Sequence, residues 1–224
     1  MSKEFKLSLG NTGTVQKMVY EKLFDAIALG HFKPGQRLVE QKLAHKMSVS
    51  KTPVREAIRQ LENEGLVKVI PYRSVVVNQL NFNEAYEVYR IRMELEGLAA
   101  EVAAKRGREK GMDSKLKVLQ ENIDAYSVAA NDGVVLEANR LNHEFHWMVA
   151  DMAGLKLLSR LLRGLQAFVG LLASVTISTA VPEAVAEHQA VFDAIKAGDG
   201  QLANRQMANH IEAKWRIARK QLGE

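Results

Sequence analysis

"VSKTPVREAIRQLENEGLV", residues 49–67, decides the fold of the first third of this chain. Val54, Ala57, Ile58 and Leu61 recur at the spacing of one apolar helical face. At about 100° per residue, Thr52, Arg55 and Arg59 fall on the opposite face, with Lys51 at the N-terminal end. The helix is expected over about 51–63, with Ser50 as its N-cap, Pro53 in its first turn and Gly65 just past its end. An apolar inside and a basic outside are what a helix needs to sit on a protein core and face a polyanion.

The neighbouring segments fit that reading. Upstream, a short helix is expected over about 40–46, joined to the next by the turn "MSVS" (47–50). Before it, Val15, Val19, Leu23, Phe24 and Ile27 mark a further helix, ended by "GHFKPG" (30–35). Downstream, "LVKVI" (66–70) and "SVVVNQL" (74–80) are β-branched runs separated by "PYR" (71–73), the pattern of an antiparallel hairpin. Two helices across a tight turn, followed by a hairpin with Arg73 near its tip, make a winged helix-turn-helix. The competing reading is a plain helical hairpin with solvated arginines.

Charge is concentrated in the same region. Residues 1–78 hold 13 Lys/Arg and 7 Asp/Glu, whereas the rest holds 18 and 19, so the first third carries the whole net excess of +5. Such a local excess suits a nucleic-acid partner, although a solvated surface produces it too. The chain has no cysteine, which excludes disulfides and thiolate metal sites and fits a reducing compartment. "MSKEFKLSLG" lacks the apolar run of a signal peptide. The most apolar region, 155–177, is broken by Lys156, Arg160 and Arg163. A cytoplasmic protein with no membrane partner is expected.

After Asn78 the strand signals stop. Asn81, with Glu84 three residues on, has the spacing of a capping box at the head of a long helix. Further helices are expected around 113–130, 133–152, 155–177, 182–197 and 200–221, punctuated by Gly154, Pro182 and "AGDG" (197–200). The expected architecture is mainly α: a winged helix-turn-helix domain over 1–78 and an antiparallel all-helical bundle over 79–224.

Within "NRLNHEFHWMVADMAG" (139–154), Leu141, Phe145, Met148, Val149 and Met152 form the apolar stripe. Asn142 and His146 lie one turn apart at its edge, while His143 points away toward Trp147. His188 falls in the stripe of Val185, Val191, Phe192 and Ile195, and His210 falls among Leu202, Ala203, Met207 and Ile217. A single inward histidine is ordinarily a satisfied core residue. Three on separate helices, beside an inward asparagine, also suit a divalent metal site of imidazoles and an amide oxygen. Spacing alone leaves both readings open. Arg92 faces the bundle stripe as well, either paired with a glutamate or available to an anion.

"FKPGQRLVEQKLAHKMSVSKTPVREAIRQLENEGLV" (32–67) resembles the DNA-binding domain of the GntR transcription regulators. The resemblance implies a homodimer reading a pseudo-palindromic operator in double-stranded DNA, with Gln41, Ser50, Lys51, Thr52 and Arg55 in the DNA-reading set and Arg73 reaching from the wing. Gln41 and Lys51 stand where many relatives have arginine, and Ser74 replaces the usual wing glycine. Lysine cannot make arginine's bidentate contact to guanine, so the operator sequence does not carry over.

"YRIRMELEGLAAEVAA", "LNHEFHWMVADMAG", "EHQAVFDAIKAGD" and "ANRQMANHI" are similar to motif blocks of the FCD ligand-binding domain of the FadR subfamily. The length after the wing resembles the shorter, six-helix VanR-like form. The resemblance implies a divalent metal at Asn142, His146, His188 and His210, with Asn142 replacing the usual aspartate. Zinc is the first expectation, with nickel and manganese as alternatives. It also implies a small organic acid as effector, its carboxylate received by Arg92, and a repressor whose operator binding that acid controls. Two other functions compete: a metal-dependent hydrolase built on the histidines, and a DNA-binding module with a purely structural metal. "HEFH" (143–146) does not have the i, i+4 histidine spacing of a zinc-hydrolase helix.

Overall fold

The structure is a computed structural model that describes residues 13–70, 74–107, 109–176 and 181–223. Three helices come first: α1 (Gly13–Ala28), α2 (Glu40–Met47) and α3 (Lys51–Asn63). The apolar face of α3 is fully used, with Val54, Ala57, Ile58 and Leu61 all at most 1% exposed. The tight α2–α3 turn places Ser48 in the left-handed region (φ 55), where its backbone N–H bonds the carbonyls of Ala44 and His45. A non-glycine residue there carries a steric cost that those bonds offset.

Ser50 occupies the N-cap position of α3, but its side chain caps nothing. Pro53, the third helical residue, lacks one of the two backbone N–H groups that such a hydroxyl accepts from.

Strands β2 (Val67–Ile70) and β3 (Ser74–Val77) form the expected antiparallel hairpin, with Val67 opposite Val77 and Ile70 opposite Ser74. It belongs to a larger sheet. Strand β1 (Arg37–Leu38), not anticipated from sequence, pairs antiparallel with the other side of β3, so the order is β1-β3-β2. Two residues are too few to display a period-two pattern; only the partner strand defines them.

Six helices follow among the described residues: α4 (Phe82–Lys105), α5 (Met112–Asn131), α6 (Val135–Ala153), α7 (Lys156–Thr176), α8 (Val181–Ala197) and α9 (Gly200–Leu222). Asn81 and Glu84 complete the capping box at the head of α4. Along α4 and α9, Trp215 packs among Phe82, Tyr86 and Tyr89, with ring centroids 5.3–5.6 Å apart. Among the described residues no helix is long and apolar enough to cross a membrane.

Helix α7 joins the two halves of the chain. Gly170 lies so near the end of α1 that a Cβ there would stand 2.2 Å from the carbonyl oxygen of Ile27 and 2.5 Å from that of Ala28. Phe168 reaches the turn after α3, close to Gly65. Rigid backbone cannot yield as a flexible side chain would. Gly170→Ala is therefore expected to lose about 1–3 kcal/mol, as overpacked cores do. Chemical denaturation checks this; an unchanged midpoint would mean that α1 and α7 separate freely.

Candidate metal centre and DNA-reading face

Helices α6, α8 and α9 each turn one imidazole into the bundle. His146, His188 and His210 are 4%, 0% and 1% exposed. One nitrogen from each lies within 4.8 Å of the other two. His146 Nε2 and His210 Nε2 lie 3.3 Å apart.

The far sides of these two rings meet carboxylates. His146 Nδ1 lies 2.5 Å from Glu96 Oε2, and His210 Nδ1 lies 2.7 Å from Glu187 Oε2. The Glu96 contact is close but too poorly aligned for a directed hydrogen bond. Through its other oxygen Glu96 accepts from Arg92 Nε at 2.6 Å. Burial alone would raise the Glu96 carboxyl, but Arg92 and His146 outweigh it and hold the group well below the usual carboxylate range. His188 has no hydrogen-bond partner at either ring nitrogen. Its ring is fixed by packing: Phe145 stacks on it at 3.8 Å and 9°.

This arrangement fits a bound cation. A carboxylate beside Nδ1 calls for a proton on that nitrogen, so His146 and His210, when neutral, aim two Nε2 lone pairs at each other across 3.3 Å. A cation between the rings removes the repulsion. Burial, reinforced by the neighbouring histidines, holds His188 and His210 well below the ordinary imidazole range, which leaves them neutral and able to coordinate. Unsatisfied buried polar atoms cost about 1–3 kcal/mol each, and the two His188 nitrogens are such atoms. Imidazole sets of this kind suit zinc or nickel.

Asn142 lies half-buried on α6, one turn before His146. Arg92 is buried in its ion pair with Glu96. His143 does not join the cluster: it lines a cavity of 450 Å³ between α1, α6 and α7, with Phe24, Asp25, Trp147 and Arg163. Sequence reasoning missed Glu96 and Glu187. The only local signals are that Glu96 follows the inward Arg92 by one turn and that Glu187 precedes His188.

At the other end of the molecule, Gln41, Ser50, Lys51, Thr52 and Arg55 are all exposed on α2, α3 and the turn between them. Arg55 is already oriented, its guanidinium pairing with Glu40 at 3.0 Å. Arg73 lies outside the described residues.

Residues 15–77 match the family described as bacterial regulatory proteins, gntR family, and residues 87–213 match the FCD domain. The chain is 30% identical over 206 residues to the probable D-xylose utilization operon transcriptional repressor of Paenarthrobacter nicotinovorans, spanning 89% of this chain and 87% of that one. It is 29% identical over 195 residues to the HTH-type transcriptional regulator YdhC of Bacillus subtilis, spanning 86% and 85%. Among solved structures it is similar to E. coli McbR/YncC, with a TM-score of 0.84 at 24% identity over 92% of this chain and 98% of that one, a likeness of fold.

Proposed function

This chain belongs to the GntR family of bacterial regulatory proteins and carries an FCD domain, and from that premise we propose that it is a transcriptional repressor whose hold on operator DNA is set by a small organic acid bound at a metal centre. It is a transcription regulator and not an enzyme. The convergence of three buried imidazoles behind a helix-turn-helix carries the reading. Its division falls between residues 78 and 79, which the extents of the two family matches support.

In this reading His146, His188 and His210 hold the metal, and the Asn142 amide oxygen contributes from the preceding turn of α6. When bound, a divalent ion would supply a Lewis-acidic centre for a carboxylate oxygen. Arg92 keeps a positive charge beside the cluster, where it favours an anionic ligand. Gln41, Ser50, Lys51, Thr52 and Arg55, with Arg73 from the wing, face the operator. The unused Ser50 hydroxyl supports this, since no helix N–H claims it. A homodimer places two such faces on two half-sites. The repressor assignment draws on the D-xylose operon relative, which is named a probable repressor.

The effector acts only through different affinities for two states of the protein. Metal-supplemented protein is expected to release operator DNA when titrated with the right member of a panel of small mono- and dicarboxylates. Chelator-stripped protein is expected to hold the DNA and ignore the acid. A mobility-shift titration on both forms decides it, and an acid response that survives complete stripping excludes the metal from the switch.

A further inference from the structure

The three imidazoles do not orient themselves equally. His188 is held by stacking, whereas His146 and His210 each present Nδ1 to a carboxylate contributed by another helix. Glu96 is the more telling of the two carboxylates. It is 3% exposed, it comes from α4, and its oxygens are divided between Arg92 Nε and His146 Nδ1. A lone pair on Nδ1 would face the carboxylate oxygen across 2.5 Å with nothing to relieve the repulsion, so even this off-line contact favours the hydrogen on that nitrogen. The lone pair is then on Nε2, the atom that faces His210.

We propose that Glu96 is the positioning residue that makes His146 a metal ligand: anchored by Arg92, it fixes the Nδ1–H tautomer of His146 and turns Nε2 toward the cluster. This rests on the metal reading above. A carboxylate behind a ligating imidazole raises the ring's basicity and locks its orientation, and loss of such a partner commonly costs about tenfold to a hundredfold in metal affinity. Glu96 is the half of the buried ion pair nearer the ring: one oxygen is taken by Arg92 and the other faces His146 Nδ1. Glu187 stands in the same relation to His210, but it is partly exposed and lies 3.9 Å from Lys214 Nζ, so its influence is the more screened of the two.

Glu96→Gln separates this role from simple packing. The amide has one acceptor oxygen, and the charged Arg92 donor takes it, which leaves the NH₂ group facing His146 Nδ1. That nitrogen must then accept, and the proton moves to Nε2, where it points into the cluster and blocks coordination. The side-chain shape and one acceptor for Arg92 are preserved, and circular dichroism checks that the helices persist.

The measurement is a Co²⁺ titration of the full-length wild-type and Glu96→Gln proteins, followed by absorption. It is combined with long-range ¹H–¹⁵N spectra of the imidazoles in the metal-free proteins at alkaline pH, where the rings are neutral. Expected are a loss of Co²⁺ affinity of about tenfold to a hundredfold and a switch of His146 from the Nδ1–H to the Nε2–H tautomer. Equal Co²⁺ affinity, or the same His146 tautomer in both proteins, overturns the proposal. If wild type takes up no Co²⁺ at all, the metal reading falls by itself. The tautomer spectra then still decide whether Glu96 sets the ring. Should Glu96→Gln lose its helical circular dichroism, Glu96→Asp answers the question: an intact carboxylate keeps the Nδ1–H form, and an Nε2–H form there counts against Glu96.

Discussion

Metal-dependent stabilisation of this protein is expected to vanish in His146→Ala, His188→Ala and His210→Ala, each alone, and to survive in His143→Ala. The three buried rings offer their nitrogens to one another within 4.8 Å, whereas His143 faces a cavity on the other side of α6. An ion that binds only the folded state adds about 2.7 kcal/mol to stability at a concentration one hundred times its dissociation constant. Truncating a buried ring also opens a cavity, so raw melting temperatures mix two effects. The difference between metal-loaded and stripped melts within each variant removes the cavity contribution. Elemental analysis after purification without an affinity tag gives the stoichiometry directly. Asn142→Asp should act in the opposite direction and tighten the metal, because it adds an anionic oxygen one turn from His146. Retention of metal by His146→Ala with loss by His143→Ala would place the centre on the wrong face of α6.

Loss of specific operator binding is the expected result of Arg55→Ala. Arg55 is exposed on α3, opposite the buried stripe, and its guanidinium is paired with Glu40 at 3.0 Å. One base-reading contact contributes roughly tenfold to a hundredfold per half-site, and a symmetric dimer loses it twice, on the order of a hundredfold to ten-thousandfold in all. The fold should be unaffected, since the side chain packs against nothing in the core. Mobility shifts on the operator and on scrambled DNA separate specific from general electrostatic binding. Arg59→Ala, one turn further from the N-terminal end of α3, is the control and should cost less. An operator affinity unchanged by Arg55→Ala would remove α3 from the DNA-reading role.

Much of the fold could be read from sequence because it depends on short-range periodicity. The stripe of Val54, Ala57, Ile58 and Leu61 is set by 3.6 residues per turn, and burial follows wherever a core is available. The Asn81–Glu84 capping box is a contact across three residues, and both of its hydrogen bonds form. The inward phase of His146, His188 and His210 is likewise a property of each helix alone. The Ser50 cap belongs to the same short range, yet it does not form, and Pro53 takes away one of its two possible donors.

Local periodicity thus sets which face each helix buries, and its punctuation sets where most of them stop. Tertiary structure decided which buried faces meet. Strand β1 exists only because β3 offers it an edge, some 40 residues later in the chain. Gly170 matters only because α1 ends against it. His146 and His210 are 64 residues apart, and their 3.3 Å approach arises because α6 and α9 both pack on α4. Glu96 looks, on its own helix, like the i+4 partner of Arg92; its contact with His146 appears only when α4 packs against α6. The reason is physical: a helical period constrains neighbours within about one turn, whereas a buried polar atom takes its partner from whatever element the fold brings alongside.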